Sequence, residues 1–365
     1  MCFFILTSLR FTAIEKYYLA LYQKHMKVLE LNFEKSWRGG ERQTLYNMQG
    51  FRNAGIQVEL VCRKGSALEK KAAEDDFTSH SFSSVFGVIF FLISKGKNFQ
   101  FIHAQTSHIL TYCVFTKVFH GVKVIFTRRV NFAPKGFFTK LKYNKTDKVI
   151  AISNEIKNTL SNFCGRNDIE VISDIVVKEN NNPGLTPPVT NKLIVGTVSA
   201  LTFEKDPFTM IDAVKELSQK RSDFIFLHYG EGEMKEQVAK KILKENLQHV
   251  YFLMGFTENI GAFYNYCDVF VMTSKEEGLG SSVLDAFINK VAVVSTNAGG
   301  LKELLADDRG ILCKTGDNNA ITNGIDLLLS DEIKRSAYID KAYKYVTHFH
   351  SMEYITQQYI SVIKK

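Results

Sequence analysis

A single polar, proline-rich segment divides this chain into two halves, and each half repeats the same alternation of strand-like and helix-like segments. Residues 180–191 read NNNPGLTPPVTN and hold three of the chain's five prolines. Neither a helix nor a strand tolerates that composition, because proline lacks an amide hydrogen and fixes its own backbone angle. On each side of it, short β-branched or aromatic runs alternate with longer runs of helical period. This alternation is typical of βαβ units and parallel sheets.

The alternation predicts an α/β fold with two Rossmann-like, doubly wound domains that face each other across a cleft. We expect the first domain over residues 26–180, a linker over 181–191 and the second domain over 192–345. Residues 346–365 are expected to form a C-terminal helix that could cross back to the first domain. Because doubly wound sheets bind ligands at the carboxyl ends of their strands, that cleft is the expected place for chemistry.

The pattern also predicts individual elements. In the first half the predicted strands are 27–32, 57–62, 99–104, 122–127 and 148–153, with helices that include 41–53 and 107–119. In the second half the predicted strands are 193–198, 224–228, 250–252, 269–272, 291–295 and 311–313, and the predicted helices are 207–219, 234–245, 282–289 and 319–329.

Length and composition exclude several classes of protein. The chain has 365 residues, of which 45% are hydrophobic, enough for two full cores. The longest apolar run, Val85–Ile93, is about half of the ~18–20 residues that a membrane span needs. The six cysteines form no C-x-x-C pair, which argues against a disulfide scaffold and favours a reducing cytoplasm. Residues 1–25 precede the first predicted strand and are either an extra element or a start placed too early.

The excess of positive over negative charge lies in the first half of the chain. The chain carries a net charge of +8, but residues 1–180 account for +11 and residues 181–365 for −3. Basic residues concentrate between Lys117 and Lys148, where the only acid is Asp147 and several aromatic residues intervene. This stretch is a solvated basic face, a surface for anionic lipid headgroups or a site for a phosphorylated acceptor. Nucleic acid ranks last, because the sequence contains no recognition module.

The densest chemical signal is the stretch Ser274–Gly300, which follows a predicted buried strand and leads into a helix. Gly278 and Gly280 allow the backbone to approach a ligand closely, and the start of the helix behind them offers free amides for a phosphate. Glu277 stands before that helix and Asp285 lies two turns inside it. Eight residues of helix rise roughly 12 Å, comparable to the distance from the sugar ring to the ribose of a nucleotide sugar. Glu277 could therefore bind sugar hydroxyls while Asp285 binds the ribose.

Each of these residues also has a purely structural interpretation. Ser282 and Asp285 match the S-x-x-D capping box, in which the aspartate only completes the start of the helix. Glu277 taken alone could be a solvated loop acid. The joint occurrence of these residues after a strand is what favours a functional site.

The same stretch resembles the E-G-F-G-x-x-x-x-E signature of retaining glycosyltransferases of family 4, which have the GT-B fold. The resemblance extends over nearly all of residues 26–350. Further matching segments are Tyr229-Gly230-Glu231-Gly232, Arg128-Arg129-Val130-Asn131-Phe132, Ala151-Ile152-Ser153 and Asn297-Ala298-Gly299-Gly300. The branch that it resembles includes transferases of lipopolysaccharide and surface polysaccharide synthesis.

The resemblance implies a role for each matching residue. Glu277, Lys205 and His103 would be the catalytic residues, although Lys205 could equally be an exposed lysine at a helix start and His103 a structural histidine. The donor would be bound by the following residues: Asp285, Gly278, Leu279, Gly280, Ser281, Gly39, Gly40 and Gly230. In the glycine pair Gly39-Gly40, a tight turn explains the sequence as well as function does. Arg128, Arg129 and Lys135 would lie on the acceptor or membrane side.

Two departures from the family pattern affect the donor site. Asp285 is one methylene shorter than the usual Glu, so its ribose contact would need a small shift. Ala200 stands where the family usually has an Arg that helps Lys205 to neutralise the departing diphosphate. Lys205, the helix start and a basic residue from the other domain would then have to supply that charge.

We therefore expect a retaining glycosyltransferase that moves a sugar from a nucleotide-diphosphate sugar to a hydroxyl of a glycan or lipid-linked acceptor. No metal and no resident cofactor are expected, because the leaving phosphate itself would help to take the acceptor proton. The expected location is the cytoplasm, at the inner face of the membrane if the basic surface binds anionic lipid. The alternatives are a sugar-nucleotide epimerase of the same fold and a catalytically degenerate protein that only binds sugar nucleotides.

Overall fold

The structure is a computed structural model that describes residues 26–178, 191–257 and 259–364. Residues 1–25 and nearly all of the predicted linker lie outside these residues. Among the helices of the described ranges, none has both the length and the apolar character that crossing a membrane requires.

The first sheet contains seven parallel strands. They are β1 (Lys27–Asn32), β2 (Gln57–Arg63), β3 (Ser79–Phe82), β4 (Phe101–Ala104), β5 (Lys123–Arg128), β6 (Lys148–Ala151) and β7 (Glu170–Val171). Their order is β3-β2-β1-β4-β5-β6-β7, so β1 is central and pairs with β2 on one side and with β4 on the other. The chain reverses its direction of travel across the sheet after β3, as a doubly wound sheet does.

Six helices connect these strands. They are α1 (Gly39–Asn53), α2 (Ala67–Glu74), α3 (Val85–Lys95), α4 (Ser107–His120), α5 (Phe137–Lys145) and α6 (Asn154–Cys164). Several begin at the side chains that favour helix starts: the hydroxyl of Thr106 accepts from the amide of Ile109, and that of Ser153 accepts from the amide of Ile156. Helix α4 packs against both α3 and α5, so these three helices lie side by side in one layer.

The second sheet contains six parallel strands. They are β8 (Leu193–Val198), β9 (Phe224–Tyr229), β10 (Tyr251–Gly255), β11 (Val269–Met272), β12 (Ala292–Thr296) and β13 (Ile311–Cys313), in the order β10-β9-β8-β11-β12-β13. The helices between and after them are α7 (Pro207–Lys220), α8 (Lys235–Lys244), α9 (Gly261–Tyr264), α10 (Ser281–Ile288), α11 (Leu301–Leu304) and α12 (Asn318–Ser330). Strands β11 and β12 are buried along their whole length, as expected for a parallel sheet that is covered on both faces.

Two helices close the chain, α13 (Glu332–Phe349) and α14 (Met352–Lys364). By its internal contacts the chain divides into two compact units. Of the described residues, the first unit contains 26–128, 137–149 and 359–364, and the second contains 129–136, 150–178, 191–257 and 259–358. The predicted division at residues 181–191 stays a prediction, since most of that segment lies outside the described residues.

Every predicted strand and helix has an observed counterpart, with ends that differ by a few residues. Strands β3 and β7 and several helices, α3 among them, were not predicted individually. The sequence of β3, SHSF, lacks an alternating apolar pattern, and that of α3 is too uniformly apolar to show a helical period. The single C-terminal helix predicted over 346–365 is divided between two helices. Its first residues belong to the end of α13, the helix is interrupted at His350 and Ser351, and the remainder forms α14.

Candidate active site

The loops that follow β8, β9, β11 and β12 come together at the carboxyl edge of the second sheet. In an open parallel sheet this edge binds the ligand. Of the donor-side residues predicted from the sequence, Lys205, Gly230, Glu277 and the glycines that follow it all lie in these loops. The second unit therefore assembles most of the predicted donor site by itself.

Lys205 ends a short 3₁₀ turn, Phe203–Lys205, that leads into α7. The next residue, Asp206, adopts a left-handed backbone (φ 48°) and caps α7, and Pro207 occupies the first turn of that helix. The hydroxyl of Thr273, from the loop after β11, donates to the carbonyl oxygens of Lys205 (3.1 Å) and Asp206 (3.0 Å). The loop after β11 thus fixes the backbone that carries Lys205.

Glu277 and Lys205 form an ion pair although they are 72 residues apart in sequence. The Nζ of Lys205 donates to Oε2 of Glu277, and the hydroxyl of Ser274 lies 3.4 Å from the same oxygen. The Lys205 side chain is 22% exposed and that of Glu277 is 14% exposed. The two residues predicted to act on the donor are thus in contact, partly shielded, and still open to solvent on one side.

Gly280 determines where helix α10 begins. It has a left-handed backbone (φ 99°) and is the residue before the first helical one, Ser281. A Cβ at this position would lie 2.6 Å from Cδ2 of Leu301, so glycine is required both by backbone geometry and by packing. Because Ser282 lies inside the helix, it does not form the capping box that the sequence allowed. Asp285 lies in the second turn of α10 and is half-buried.

The segment after β12 packs against the loop of residues 277–280, which we call the glycine loop. A Cβ at Gly299 would lie only 2.0 Å from the carbonyl oxygen of Glu277, and one at Gly300 would lie 2.6 Å from that of Gly278. The amide of Gly300 donates to the carbonyl of Glu277 (3.1 Å), and the hydroxyl of Ser153 donates to the carbonyl of Gly278 (2.6 Å). These contacts explain why two glycines follow β12, and they fix the position of Glu277.

Gly230 has a comparable role beside the loop after β8. Its φ is 145°, and a Cβ there would lie 2.0 Å from the carbonyl oxygen of Ser199. Under the same loop, His228 is buried and contacts Ser199 and the hydroxyl of Tyr251. Burial lowers the pKa of His228 to about 4, so this imidazole is neutral at physiological pH. Both residues support the backbone around Ala200, which is itself exposed.

A cavity of about 530 Å³ opens next to the ion pair, and all of its lining residues belong to the second unit. They are Arg129, Val130, Asn131, Phe132, Phe203, Glu204, Lys205, Lys275, Glu276, Glu277 and Gly278. The cavity brings the predicted residues Lys205, Glu277, Gly278 and Arg129 together. Arg129 also lies 3.2 Å from Asp174, measured from Nε to Oδ1.

Lys275 and Phe203, which were not predicted from the sequence as site residues, form part of the same cavity wall. The Nζ of Lys275 lies 4.4 Å from the centre of the Phe203 ring and 3.2 Å from Oδ1 of Asp206. Phe203 is 66% exposed, which is unusual for a phenylalanine at the edge of a cavity and suits stacking on a flat or ring-shaped ligand. The available signal was a lysine directly before the acidic pair Glu276-Glu277.

In the first unit, His103 lies inside the sheet rather than at a surface. It is 1% exposed on β4. Its Nδ1 lies 2.8 Å from Oε1 of Glu30, and its Nε2 lies 2.8 Å from the hydroxyl of Thr127. That hydroxyl in turn lies 3.1 Å from the hydroxyl of Tyr359 on α14. Both ring nitrogens are therefore occupied in this conformation, and a direct role of His103 in catalysis stays a prediction.

Gly39 and Gly40 form the first turn of α1 and have open space where a Cβ would stand. Packing therefore does not require glycine at either position. The turn is held by Glu41, which accepts from the backbone amide of Arg38 (2.9 Å) and from the side chain of Asn32 (3.1 Å). Burial raises the pKa of the Glu41 carboxyl. The buried Glu41 carboxyl thus stabilises this turn by hydrogen bonds, and both glycines have open space beside them.

The basic residues assigned to an acceptor or membrane side separate into three environments. Arg128 is only 2% exposed, and its guanidinium donates to the hydroxyl of Tyr143 (2.8 Å). Because it is buried, Arg128 is not part of a membrane-facing surface, and a contact of Arg128 with an acceptor stays a prediction. Arg129 lines the cavity beside Glu277. Lys135 is exposed.

No group of three or more His, Cys, Asp or Glu side chains is placed to hold a metal ion within residues 26–178, 191–257 and 259–364. The expectation that neither a metal nor a resident cofactor is needed stays a prediction.

Two family models together match most of the chain. The model described as Glycosyl transferases group 1 matches residues 179–345, and the model described as Glycosyltransferase Family 4 matches residues 37–177. The first match includes Lys205, Glu277 and Asp285, and the second includes Gly39, Gly40 and His103.

Curated relatives are also glycosyltransferases. The N-acetylgalactosamine-N,N'-diacetylbacillosaminyl-diphospho-undecaprenol 4-alpha-N-acetylgalactosaminyltransferase of Campylobacter jejuni is 26% identical over 56% of this chain and 57% of its own length. The lipopolysaccharide core biosynthesis glycosyltransferase LpsE of Rhizobium meliloti is 23% identical over 62% of this chain and 66% of its own length. The chain spans about half the length of the first curated relatives that it matches.

Solved structures support the fold. HepE of Anabaena, in complex with UDP and glucose, superimposes with a TM-score of 0.79 at 19% identity and covers 93% of this chain and 100% of its own. The predicted α/β fold with two Rossmann-like sheets is confirmed, and so is the resemblance stated from the motifs. The chain belongs to the glycosyltransferases of the GT-B fold, with a family 4 domain in its first half and a group 1 domain in its second.

Proposed function

We propose that this chain transfers a sugar, with retention of anomeric configuration, from a nucleotide-diphosphate sugar to a hydroxyl group of a glycan or lipid-linked acceptor in lipopolysaccharide or surface polysaccharide synthesis. The observation that carries this proposal is the ion pair of Lys205 with Glu277 beside the glycine-initiated start of α10. A carboxylate suited to sugar hydroxyls, a cation and free helix amides suited to phosphate thus lie in one place.

Each group has a defined task in this reaction. Glu277 holds hydroxyls of the donor sugar, Asp285 holds the ribose, and Lys205 with the amides at Ser281 stabilises charge on the leaving diphosphate. Stabilisation of that developing charge is usually the largest contribution to catalysis of this kind. The acceptor oxygen forms a bond to the anomeric carbon on the face from which the phosphate departs. The acceptor proton passes to a phosphate oxygen as the bond from the leaving phosphate to the anomeric carbon breaks.

The charge lost at Ala200 is supplied by other residues of the cavity. Lys275 and Arg129 line the cavity together with Lys205, so three cations are within one site even without the usual arginine. Each is now close to a carboxylate: Lys275 lies near Asp206 and Arg129 near Asp174. A diphosphate would then enter a site whose cations are already held in position.

The names of the relatives suggest the kind of acceptor. The Campylobacter jejuni relative acts on a sugar linked to diphospho-undecaprenol, as its name states, and the Rhizobium meliloti relative takes part in lipopolysaccharide core synthesis. We extend this to an acceptor that is a glycan or is carried by a lipid, and to work at the cytoplasmic face of a membrane. The partners are therefore a nucleotide sugar, this acceptor and an anionic membrane surface, without nucleic acid.

The test is a donor screen with UDP-, GDP- and ADP-sugars, measuring binding by calorimetry and nucleotide release with and without a mixture of lipid-linked acceptors. We expect binding of one nucleotide class and release that depends on acceptor. Glu277→Gln should abolish transfer, while Glu245→Gln, which changes a surface ion pair with Lys215, should not. Wild-type turnover by Glu277→Gln would refute the assignment.

The same measurements separate the alternatives. A product that is an altered sugar nucleotide, formed without acceptor, would identify an epimerase. Binding without any turnover would identify a degenerate protein that only binds sugar nucleotides, the alternative motivated by Ala200 and Asp285. An anomeric configuration in the product that differs from that of the donor would contradict the retaining mechanism.

A further inference from the structure

Three adjacent helices of the first unit expose large apolar side chains to solvent. Helix α4 packs against α3 on one side and α5 on the other, so the outward stripes of the three helices adjoin. We call these nine side chains the aromatic face: Phe86, Phe90, Ile93, Phe115, Val118, Phe119, Phe137, Phe138 and Leu141. The most exposed of them are Val118 at 83% and Phe138 at 82%.

The spacing within each helix places these residues on one side. On α3 the residues recur at intervals of four and three, as they do from Phe115 to Val118 and Phe119 on α4. This is the period of a helix face. The opposite side of each helix is buried, by Val88 and Leu92 on α3 and by Ile109 and Cys113 on α4. Helices α3 and α4 are therefore apolar on both sides, whereas a helix on a purely solvated surface has a polar outer side.

The charge around the aromatic face has one sign. Residues 77–146 contain ten Lys and Arg and not a single Asp or Glu. Five of these lysines are exposed in the first unit: Lys95, Lys97, Lys123, Lys140 and Lys145. On α5, Lys140 follows Phe137 by three residues and Lys145 follows Leu141 by four, so they lie beside the aromatic face. A lysine at such a place can bury its aliphatic stem and keep its ammonium at a polar layer.

We propose that the aromatic face docks this chain onto the surface of a bilayer that contains anionic lipid. Aromatic and aliphatic side chains enter the boundary between headgroups and acyl chains, and the lysines contact the lipid phosphates. This surface replaces Arg128 as the membrane contact, because Arg128 is buried. This proposal rests on the proposed function, since it identifies the surface that would contact the membrane. Lipid binding is measured without any sugar transfer, so the two proposals can fail independently.

Charge argues against the other occupants of this face. A second copy of the chain that docked through the same face would bring two basic surfaces together, and like charges that face each other across an interface are unfavourable. Residues 1–25 carry Arg10, Lys16 and Lys24 against the single acid Glu15, so they do not complement a basic surface either. An anionic bilayer satisfies both the apolar and the positive character of the face.

The test is flotation of the full chain with vesicles of phosphatidylcholine alone and of phosphatidylcholine mixed with phosphatidylglycerol. We expect binding to the mixed vesicles, weakened as salt rises. The triple variant Phe90→Ser, Phe115→Ser, Phe138→Ser should lose at least about tenfold in partitioning, because about three aromatic contacts are removed. The matched control changes three exposed apolar residues of the second unit, Leu243→Ser, Ile333→Ser and Phe349→Ser, and should bind as the wild type does.

Each outcome decides the proposal. Loss of binding in the first variant but not in the control supports it, provided that both variants keep the thermal unfolding midpoint of the wild type. If the first variant does unfold, Lys140→Glu with Lys145→Glu provides the second test and should abolish the preference for anionic vesicles. The proposal is overturned if the wild type binds neither kind of vesicle. It is also overturned if only a chain that starts at Met26 binds, because residues 1–25 would then cover the aromatic face. A dimer that the triple Phe variant dissociates would likewise overturn it, because a second copy would then occupy the face. Binding of a nucleotide sugar, measured on the same samples, reports the proposed function independently.

Discussion

Replacing Gly299 by alanine tests how the structure positions Glu277. Gly299 has a left-handed backbone (φ 49°), and a Cβ built on it would lie 2.0 Å from the carbonyl oxygen of Glu277. Contacts of a Cβ shorter than 3.0 Å are essentially never seen in proteins. The alanine methyl group and the Glu277 carbonyl must therefore separate by about 1 Å or more, which moves either the glycine loop or the segment after β12.

The size of the effect follows from two separate costs. An alanine in the left-handed region costs about 1–2 kcal/mol wherever it occurs. Displacement of a positioned group by about 1 Å can lower the rate of an enzyme by about a hundredfold. Gly316→Ala separates the two, because Gly316 also has a left-handed backbone (φ 79°) but has no atom within 4 Å of the point where a methyl group would stand. Only the first cost applies there.

The assay is thermal unfolding of both variants, followed by donor binding and transfer rate with the donor found in the screen. We expect Gly299→Ala to unfold at a lower temperature than Gly316→Ala and to lose about two orders of magnitude in rate, while Gly316→Ala keeps wild-type transfer. Equal unfolding midpoints and equal rates for the two variants would refute the reasoning. The comparison of midpoints remains informative even if no donor is found, since it depends on packing alone.

Three further expectations concern single side chains. Lys205→Met should lower the transfer rate by about 10²–10³-fold, whereas Lys215→Met, which breaks a surface ion pair with Glu245, should leave it unchanged; equal rates for the two variants would contradict this. Lys275→Ala should weaken binding of the nucleoside diphosphate, measured by calorimetry, and unchanged affinity would remove Lys275 from the site. Burial lowers the pKa of His350 from 6.5 to about 4, so the unfolded chain binds the additional proton between these two values, and the free energy of unfolding should fall as the pH decreases through that range, by up to about 1.4 kcal/mol per pH unit. His350→Gln should reduce this slope in urea unfolding, and an unchanged slope would contradict the assignment.

The strands and the ligand-binding edge could be predicted from the sequence because both depend on short local patterns of apolar residues and glycines. Strand β11 is a short apolar run directly before a glycine loop, and a loop in that position has to lie at the carboxyl edge of a parallel sheet. The resemblance to family 4, rather than this local pattern, implied Lys205 and Gly230, which lie in the loops after β8 and β9. That Lys205 and Glu277 touch could not be derived this way, because the contact depends on β8 and β11 being neighbours in the sheet. Strand order is a property of the whole domain.

The environment of His103 depends on a contact that the local sequence does not show. The family resemblance implied a catalytic role for His103, and a structural role was the alternative. In the folded chain Glu30 lies on the neighbouring strand β1 and pairs directly with His103 in register, which places a buried carboxylate against its Nδ1. A buried carboxylate needs such partners, and the sequence contains no sign of which histidine will supply them. Helix α3 was not predicted for a related reason: a helix that is apolar on both sides shows no hydrophobic period in its sequence.

Ala200 and Lys275 together bear on how the site can function without the usual arginine. Ala200 cannot supply charge, but Lys275 reaches the cavity of Lys205 from the loop after β11. Its ammonium is held between the ring of Phe203 and the carboxylate of Asp206, and this fixes its position before a ligand arrives. A charge that is already fixed costs less to use than a mobile one, because no side-chain freedom is lost on binding. If Lys275 replaces the missing arginine, Ala200→Arg should rescue much of the affinity for the nucleoside diphosphate that Lys275→Ala loses. If the double variant shows no rescue, Lys275 does not replace the arginine.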